Sequence, residues 1–493
     1  MANESGSAPT RPLALVLFDQ TLEAHQLPAT YRRSIGLASA CYDAARAAGV
    51  EAPERAARDM LLSARLDGLD TEQQAAIAAS TAMLRTRVRP QREPAFVCLN
   101  DRNQAAALRL GALLRLAAAL ADSGVTALTV DHSGVATVLT IAGQNTEALA
   151  EAGSRGEFWR DTIGRLEIRL AGDEPLAPLP DEPIDPAVAR LTLRDGLQGD
   201  EPLAEGARRM LRRTFERFLA RTDAVEKDED PEDVHDMRVA TRRLRASLQI
   251  VEGVFDVELM ERFRRGLQRV ARSLGAVRDY DVFLESVRSF SNGAVTERQA
   301  MMEPLLVAIA AARAPARARL LAELESKRSG RFVQRFAAFL TTPGAGVVEQ
   351  SETGAPGRVR DFAGSAIWRR YEQWRAFDAV LDGAPDEVRH LARIAGKRLR
   401  YTIEFFADAL GPGAQQALSP LMTLQELLGS LQDAVVAREY IRALGLGDDP
   451  GAQAYLAVLD AEHERLLAEF PRAWARVDSA TYRRRLFELI IRV

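Results

Sequence analysis

The chain has 493 residues, 65 Lys plus Arg against 69 Asp plus Glu, and a formal net charge of −4. That length suits two or three domains, and 47% hydrophobic residues can fill sizeable cores. A near-balanced charge argues against a general coat for nucleic acid, so any polyanion site must be a local concentration of cations.

The charge is unevenly spread. The first 190 residues carry 19 basic and 24 acidic side chains, and the remainder carries 46 and 45. Only Lys227, Lys327 and Lys397 are lysines, leaving 62 of the 65 cations as Arg, the better fork for phosphate oxygens. Cys41 and Cys98 form neither a disulfide framework nor a metal pattern, which fits a reducing cytoplasm. No secretory signal precedes the first polar residues. The most apolar run, Leu110 to Ala121, is interrupted by Arg115 and is too short to span a bilayer, so no membrane association is expected.

Residues 1 to 10 read as a disordered leader. From Arg11 to about Leu120 the periodicity is helical, with breaks near Gly49, Gly68 and Pro90 to Pro94. Asp70 or Thr71 is placed to cap a helix. Val125 to Val130 and Ala136 to Ile141 read as strands joined by a turn over Asp131 to Gly134. A short helix and a strand, Arg165 to Leu170, should follow. Residues 173–196 are acidic and Pro-rich, as in a semi-stiff, extended linker.

Beyond the linker, helical patterns run almost to the end. The acidic break Glu226 to Asp233 precedes a basic stretch, Val234-His-Asp-Met-Arg-Val-Ala-Thr-Arg-Arg-Leu-Arg-Ala246. Asp230 suits the cap, Pro231 the first helical position, and Glu232 and Asp233 the positive helix end. At 100° per residue, His235, Arg238, Arg242 and Arg245 share an arc of roughly 80°. Met237, Ala240, Leu244, Leu248 and Val251 lie opposite, separating a cationic face from a core face. The pattern returns at His390, Arg393, Lys397 and Arg400, 155 positions after His235, with Ala395, Leu399, Ile403 and Phe406 on the apolar side. Leu274-Gly-Ala-Val-Arg-Asp279 likewise has a counterpart in Leu428-Gly-Ser-Leu-Gln-Asp433, 154 positions on. Gly, Pro and Ser cluster from Thr341 to Gly357 and mark a midpoint. The expected fold is mainly α, with two pseudo-symmetric antiparallel helical bundles, 197–345 and 346–493, of four to six helices each. A smaller helical domain with a β-hairpin, 1–172, precedes them.

Two resemblances follow. Arg109 to Ser123 and the hairpin after it, with Leu13 to Leu27, resemble the C-terminal HD-type helical domain of the exopolyphosphatase/guanosine pentaphosphatase family, over 1–172. An HD phosphohydrolase needs several His and Asp ligands. This segment has only His25 and His132, no His-Asp pair, and none of the domains that carry catalysis in that family. It therefore reads as a degenerate relative or a partner-binding spacer, with His25 and His132 as surface or packing residues.

The paired His/Arg helices and the Leu-Gly-x-x-x-Asp segments, read as turns, resemble the CHAD domain, the conserved-histidine α-helical domain, over 197–493. The resemblance implies two helical bundles around a basic channel for inorganic polyphosphate and association with polyphosphate granules in the cytoplasm. Polyphosphate-metabolising enzymes are implied as further partners. The implied binding residues are His235, Arg238, Arg242, Arg243, Arg245, His390, Arg393, Lys397, Arg398 and Arg400, with Tyr401 as a hydroxyl donor. Arg265, Arg269 and Arg272, on one face at i, i+4 and i+7, form a second tier with the weaker Arg264 and Arg278. Asp279 and Asp433 are expected to cap helices or hold Arg side chains.

No catalytic residue, cofactor or metal is expected. His235-Asp236 mimics an HD motif but sits among arginines, which repel a cation. The sequence offers no carboxylate cluster for Mg²⁺, no activated nucleophile and no run of alternating glutamates. The alternative reading is a phosphohydrolase or regulator acting on polyphosphate or triphosphate-containing substrates. Nucleic acid is the weaker ligand, because no aromatic platform interleaves the basic runs.

Overall fold

Ala- and Leu-rich periodicity in the N-terminal region folds into helices around one central member, Asp101–Asp122. The computed structural model describes residues 9–133, 136–142, 146–171, 176–194, 196–228, 230–291, 296–348 and 357–493. Residues 1–8 of the expected leader lie outside them, and a helix starts at Thr10. The chain divides into two compact units: Met1–Asp195 with Val333–Ala345, and Gly196–Phe332 with Gly346–Val493.

In the first unit, helices Thr10–Gln20 and Thr71–Ala82 pack on Asp101–Asp122, and Tyr31–Ala47 and Pro53–Leu61 complete the layer. The central helix extends well past Leu110–Ala121. It is long and apolar enough, by length and composition, to cross a membrane. Here its Leu110, Leu113, Leu114 and Leu116 are fully enclosed by the helices around it. Arg115, which breaks the apolar run, donates to the carbonyls of Met83 at 3.2 Å, Thr86 at 3.0 Å and Arg85. Asp70 is the cap of Thr71–Ala82: it accepts from the Gln73 amide at 2.7 Å while Gln73 Oε1 accepts from the Asp70 amide at 3.1 Å. His25 is a core residue. Its Nδ1 accepts from the Leu27 amide at 2.9 Å, Nε2 donates to the Phe18 carbonyl at 3.0 Å, and burial holds its pKa below the ordinary value. The side chain of His132 lies outside the described residues.

The hairpin expected after the central helix is present, with a third strand beside it. β1 (Leu128–Ser133) runs antiparallel to β2 (Ala136–Ile141), and β3 (Arg165–Leu170) runs parallel to β2. Leu128 faces Ile141 across the first pair. The first strand starts three residues later than Val125. Gly124 has φ +70° and the Val125 amide still bonds to the Leu120 carbonyl at 3.0 Å, so Val125 belongs to the helix terminus. Asp131 to Ser133 are strand rather than turn, and Gly134 lies outside the described residues.

The Pro-rich stretch is bound along the first unit. Arg11 donates to the carbonyls of Glu182 and Pro183, both at 2.7 Å. Arg32 pairs with Glu182 at 2.6 Å and Arg33 with Asp185 at 2.7 Å. Four fixed contacts of this kind make a tether of ordinary flexibility a poor description of residues 182–185.

The second unit holds the repeat. Helices Leu203–Leu219, Thr222–Lys227, Pro231–Ile250, Val257–Ser291, Thr296–Glu325 and Lys327–Thr341 make the first set. Val359–Arg375, Asp378–Leu381, Asp386–Phe405, Gly413–Ala443, Pro450–Val477 and Ala480–Ile490 repeat the order, with one short extra helix, Ala407–Leu410. Lys327–Thr341 passes into the first unit after Phe332. The architecture is therefore mainly α and internally duplicated. Hereafter Pro231–Ile250 and Asp386–Phe405 are the first and second basic helices, and Val257–Ser291 and Gly413–Ala443 the first and second long helices. Asp230 caps the first basic helix, accepting from the Glu232 amide at 2.9 Å, with Pro231 at its first position. The second basic helix follows Pro385 with no side-chain cap. The Leu-Gly-x-x-x-Asp segments are not turns. Both lie inside the long helices, so Asp279 and Asp433 cap nothing.

A glycine lets the first long helix approach its neighbour. A Cβ on Gly266 would stand 2.7 Å from Cε2 and 2.8 Å from Cγ of Phe332, a buried ring with little room to retreat. Gly266→Ala is expected to destabilise this unit by about 1–2 kcal/mol, overpacking exceeding the gain in helix propensity. Urea titration followed by circular dichroism measures it; an unchanged midpoint contradicts it.

Candidate functional site

The two basic helices pack against each other. Each also packs inside its own repeat, the first on Leu203–Leu219 and Val257–Ser291, the second on Val359–Arg375 and Gly413–Ala443, and there buries its apolar face. Val234, Met237, Leu244 and Leu248 on the first, and Ala392, Leu399 and Ile403 on the second, are buried. The cations lie away from those apolar faces and meet across the contact between the two helices.

Tyr401 marks where they meet. Its ring takes Arg242 of the first basic helix at 5.8 Å from the centroid and Arg400 of its own helix at 4.9 Å. Arg400 also donates to the Tyr401 hydroxyl at 3.3 Å and lies 3.3 Å from Glu404. Around this ring the charges act on one another. Burial, opposed by Tyr401, and then Arg238, Arg400 and Arg243 hold the Arg242 guanidinium below its ordinary pKa. Arg393 is lowered by burial, with Asp433 and Tyr401 opposing and Arg238 and Arg400 adding. Lys397 is lowered to about 7 by burial and the fields of Arg393, Arg242, Arg238 and Arg400. The Nε groups of Arg242, Arg393 and Arg400 are buried and have no hydrogen-bond partner. A cluster of partly desolvated guanidinium groups with donors left unsatisfied can receive an anion.

The long helices place a carboxylate at matching positions beside this cluster. Asp279 lies 3.8 Å from Arg238 and accepts from the Tyr440 hydroxyl at 3.5 Å. Asp433 feels Arg393 and Lys397. Burial raises the pKa of both against those cations. Of the two expected roles, Asp279 performs the second, beside Arg238, while Asp433 stands within the field of Arg393 and Lys397.

The other sequence candidates divide. Arg243 is exposed and near enough to Arg242 to affect it. Arg245 couples with Arg272 of the first long helix, apart from the Tyr401 cluster. Arg398 is coupled to Arg370 of the flanking helix. Arg265 and Arg269 are engaged elsewhere, by Glu261 at 3.8 Å and Glu323 at 3.3 Å. Arg264 bridges Glu252 and Glu261, both at 3.2 Å. Arg278 pairs with Glu232 at 3.2 Å and lines a separate cavity of about 700 Å³.

The two histidines differ. His390 Nδ1 is 2.6 Å from Gln432 Oε1; the amide oxygen accepts, so Nδ1 carries the proton and Nε2 is left for another partner. His235 makes no hydrogen bond or ion pair among the described residues. Asp236, the other half of the HD-like dipeptide, is taken by Arg221 at 2.6 Å. Among the described residues no group of three or more His, Cys, Asp or Glu is placed to hold a metal. Sequence reasoning missed Gln432 as the support of His390, though its occupation of the Arg278-equivalent position was visible. It also missed Tyr440, seven residues after Asp433 on the same helix and so on the same face.

Residues 209–442 match the family model described as CHAD domain. That segment is a CHAD domain. The match takes in both basic helices and both long helices. An uncharacterized protein of Mycobacterium tuberculosis strain CDC 1551 / Oshkosh is 28% identical over 300 residues, 58% of this chain and 56% of the relative. A second, from strain ATCC 25618 / H37Rv, gives the same figures. The chain thus spans little more than half the length of these relatives. Among solved structures, the CHAD domain from the plant Ricinus communis is 24% identical with a TM-score of 0.43, covering 59% of this chain and 94% of that one. PptA from Streptomyces chartreusis is 19% identical with a TM-score of 0.43, covering 56% and 99%.

Proposed function

We propose that this protein binds inorganic polyphosphate without chemistry, between the two basic helices of its CHAD domain, and is thereby held at polyphosphate granules in the cytoplasm. One observation carries the reading: Arg238 and Arg242 from one repeat and Arg393, Lys397 and Arg400 from the other converge around Tyr401. Polyphosphate presents about one negative charge per phosphate and no bases, so repeated guanidinium forks suffice to hold it. The first unit serves on this reading as a spacer or as a docking domain for polyphosphate-metabolising enzymes.

Salt titration tests it. About five phosphate contacts on a flexible single strand give a log–log slope of about −3.5, or ~100-fold weaker binding between 50 and 200 mM salt. Pull-down or fluorescence titration with long-chain polyphosphate reads the slope. Absent binding, or binding indifferent to salt, removes the proposal. The same mixtures with Mg²⁺ or Mn²⁺ should release no phosphate; release would favour a phosphohydrolase instead. Single-stranded RNA should compete poorly.

A further inference from the structure

We propose that Lys397 is a covalent modification site for small phosphate-bearing aldehydes, its ε-amine acting as nucleophile while the surrounding guanidinium groups anchor the phosphate. The inference rests on the anion-binding reading of this cluster and adds a reaction to it.

The placement of Lys397 carries the argument. It lies one turn from both Arg393 and Arg400 on the second basic helix and faces Arg238 and Arg242 of the first. Asp433 on the second long helix supplies the carboxylate whose field reaches it. On the flanking helix Val359–Arg375, Arg370 acts on Arg398 instead. Lys397 is half-buried, and its amine makes no hydrogen bond or ion pair among the described residues. An amine so placed loses its proton near neutrality, at about pH 7. Close to half of it then carries a free lone pair, against ~1 in 10³ for an ordinary lysine. An arginine at this position would have no such chemistry, since it stays charged. Lys227 and Lys327, the chain's other lysines, are exposed.

The reaction balances without an oxidant. The Nζ lone pair attacks the carbonyl carbon, and the carbonyl oxygen takes a proton to give a carbinolamine. Loss of that oxygen as water leaves the imine. Amine plus aldehyde thus gives imine plus water. Guanidinium groups holding the phosphate raise the local concentration of aldehyde at the amine. The adduct fills the site and should displace a phosphate chain.

Pyridoxal 5′-phosphate is the probe. The full-length chain is incubated with it at pH 7.5, reduced with borohydride and mapped by peptide mass spectrometry. Labelling of Lys397 is expected about 100-fold faster than that of Lys227 or Lys327. Pyridoxal, which lacks the phosphate, should keep the part of that preference that comes from the free amine but label Lys397 more slowly and less selectively than pyridoxal 5′-phosphate does, and Arg238→Gln with Arg393→Gln should remove this phosphate advantage while the chain stays helical. Equal labelling of the three lysines, or equal preference with pyridoxal, overturns the inference. Selective labelling with no polyphosphate binding would sink the proposed function and leave this site standing; polyphosphate binding with unselective labelling would do the reverse.

Discussion

Reversing Arg242 and Arg400 together, as Arg242→Glu with Arg400→Glu, is expected to abolish polyphosphate binding while leaving the helical circular dichroism intact. The pair is chosen because each repeat contributes one, and both lie over the Tyr401 ring. Hydrogen bonds to charged groups contribute about 1.5–3 kcal/mol each, so losing two costs about 3–6 kcal/mol, or roughly 10²–10⁴-fold in affinity. Two new carboxylates add repulsion. Folding should survive, since the apolar faces of both helices are untouched and removing two packed cations relieves like-charge repulsion. The single reversals should each give part of the loss. A double variant that binds normally places the ligand elsewhere; one that unfolds makes these arginines structural.

Affinity for polyphosphate is expected to fall as pH rises from 7 toward 10, and Lys397→Arg should remove most of that fall. In the free protein burial and four guanidinium groups hold Lys397 at about 7. A bound polyanion restores the balance of charge and raises it. Binding therefore takes up a proton whenever the pH lies above the free value and below the bound value. The affinity is full below pH 7 and drops by at most about tenfold per unit above it. Arginine at 397 keeps its charge throughout and should flatten this limb. The two proteins differ only at position 397, so the difference between wild type and variant above pH 7 isolates the lysine. Equal slopes for the two proteins would assign the pH dependence to another group.

The duplicated helices were legible because two constraints act on each basic helix at once. Leu244 and Leu399 must reach the core while Arg242 and Lys397 must not, and a period of 3.6 records both demands. The cap at Asp230 was legible because a short acid before Pro has few other uses. Reading Asp279 and Asp433 as caps failed on a general point. Leu-Gly before an acid resembles a helix end, yet Gly275 lies in the interior of a 35-residue helix that runs on to Ser291, and a Cβ there would meet nothing. Which arginines face the shared region was not legible, since spacing fixes direction on one helix and says nothing of acids on the next. Glu261 and Glu323 take Arg265 and Arg269, and no pattern in the sequence announces either pairing. The anchoring of the Pro-rich stretch was not legible either, because Arg11, Arg32 and Arg33 that bind it lie some 150 residues earlier.

The matched carboxylates and cations of the two halves bear on how a linear ligand is held. A phosphate chain is the same molecule read from either end, unlike RNA, whose sugars give it a direction. A receptor made from one helical set used twice is blind to direction in the same way. On the proposed reading, a strand can enter from whichever side it arrives and need not turn round before it is gripped. Its capture should therefore depend on length and concentration, with no penalty for orientation.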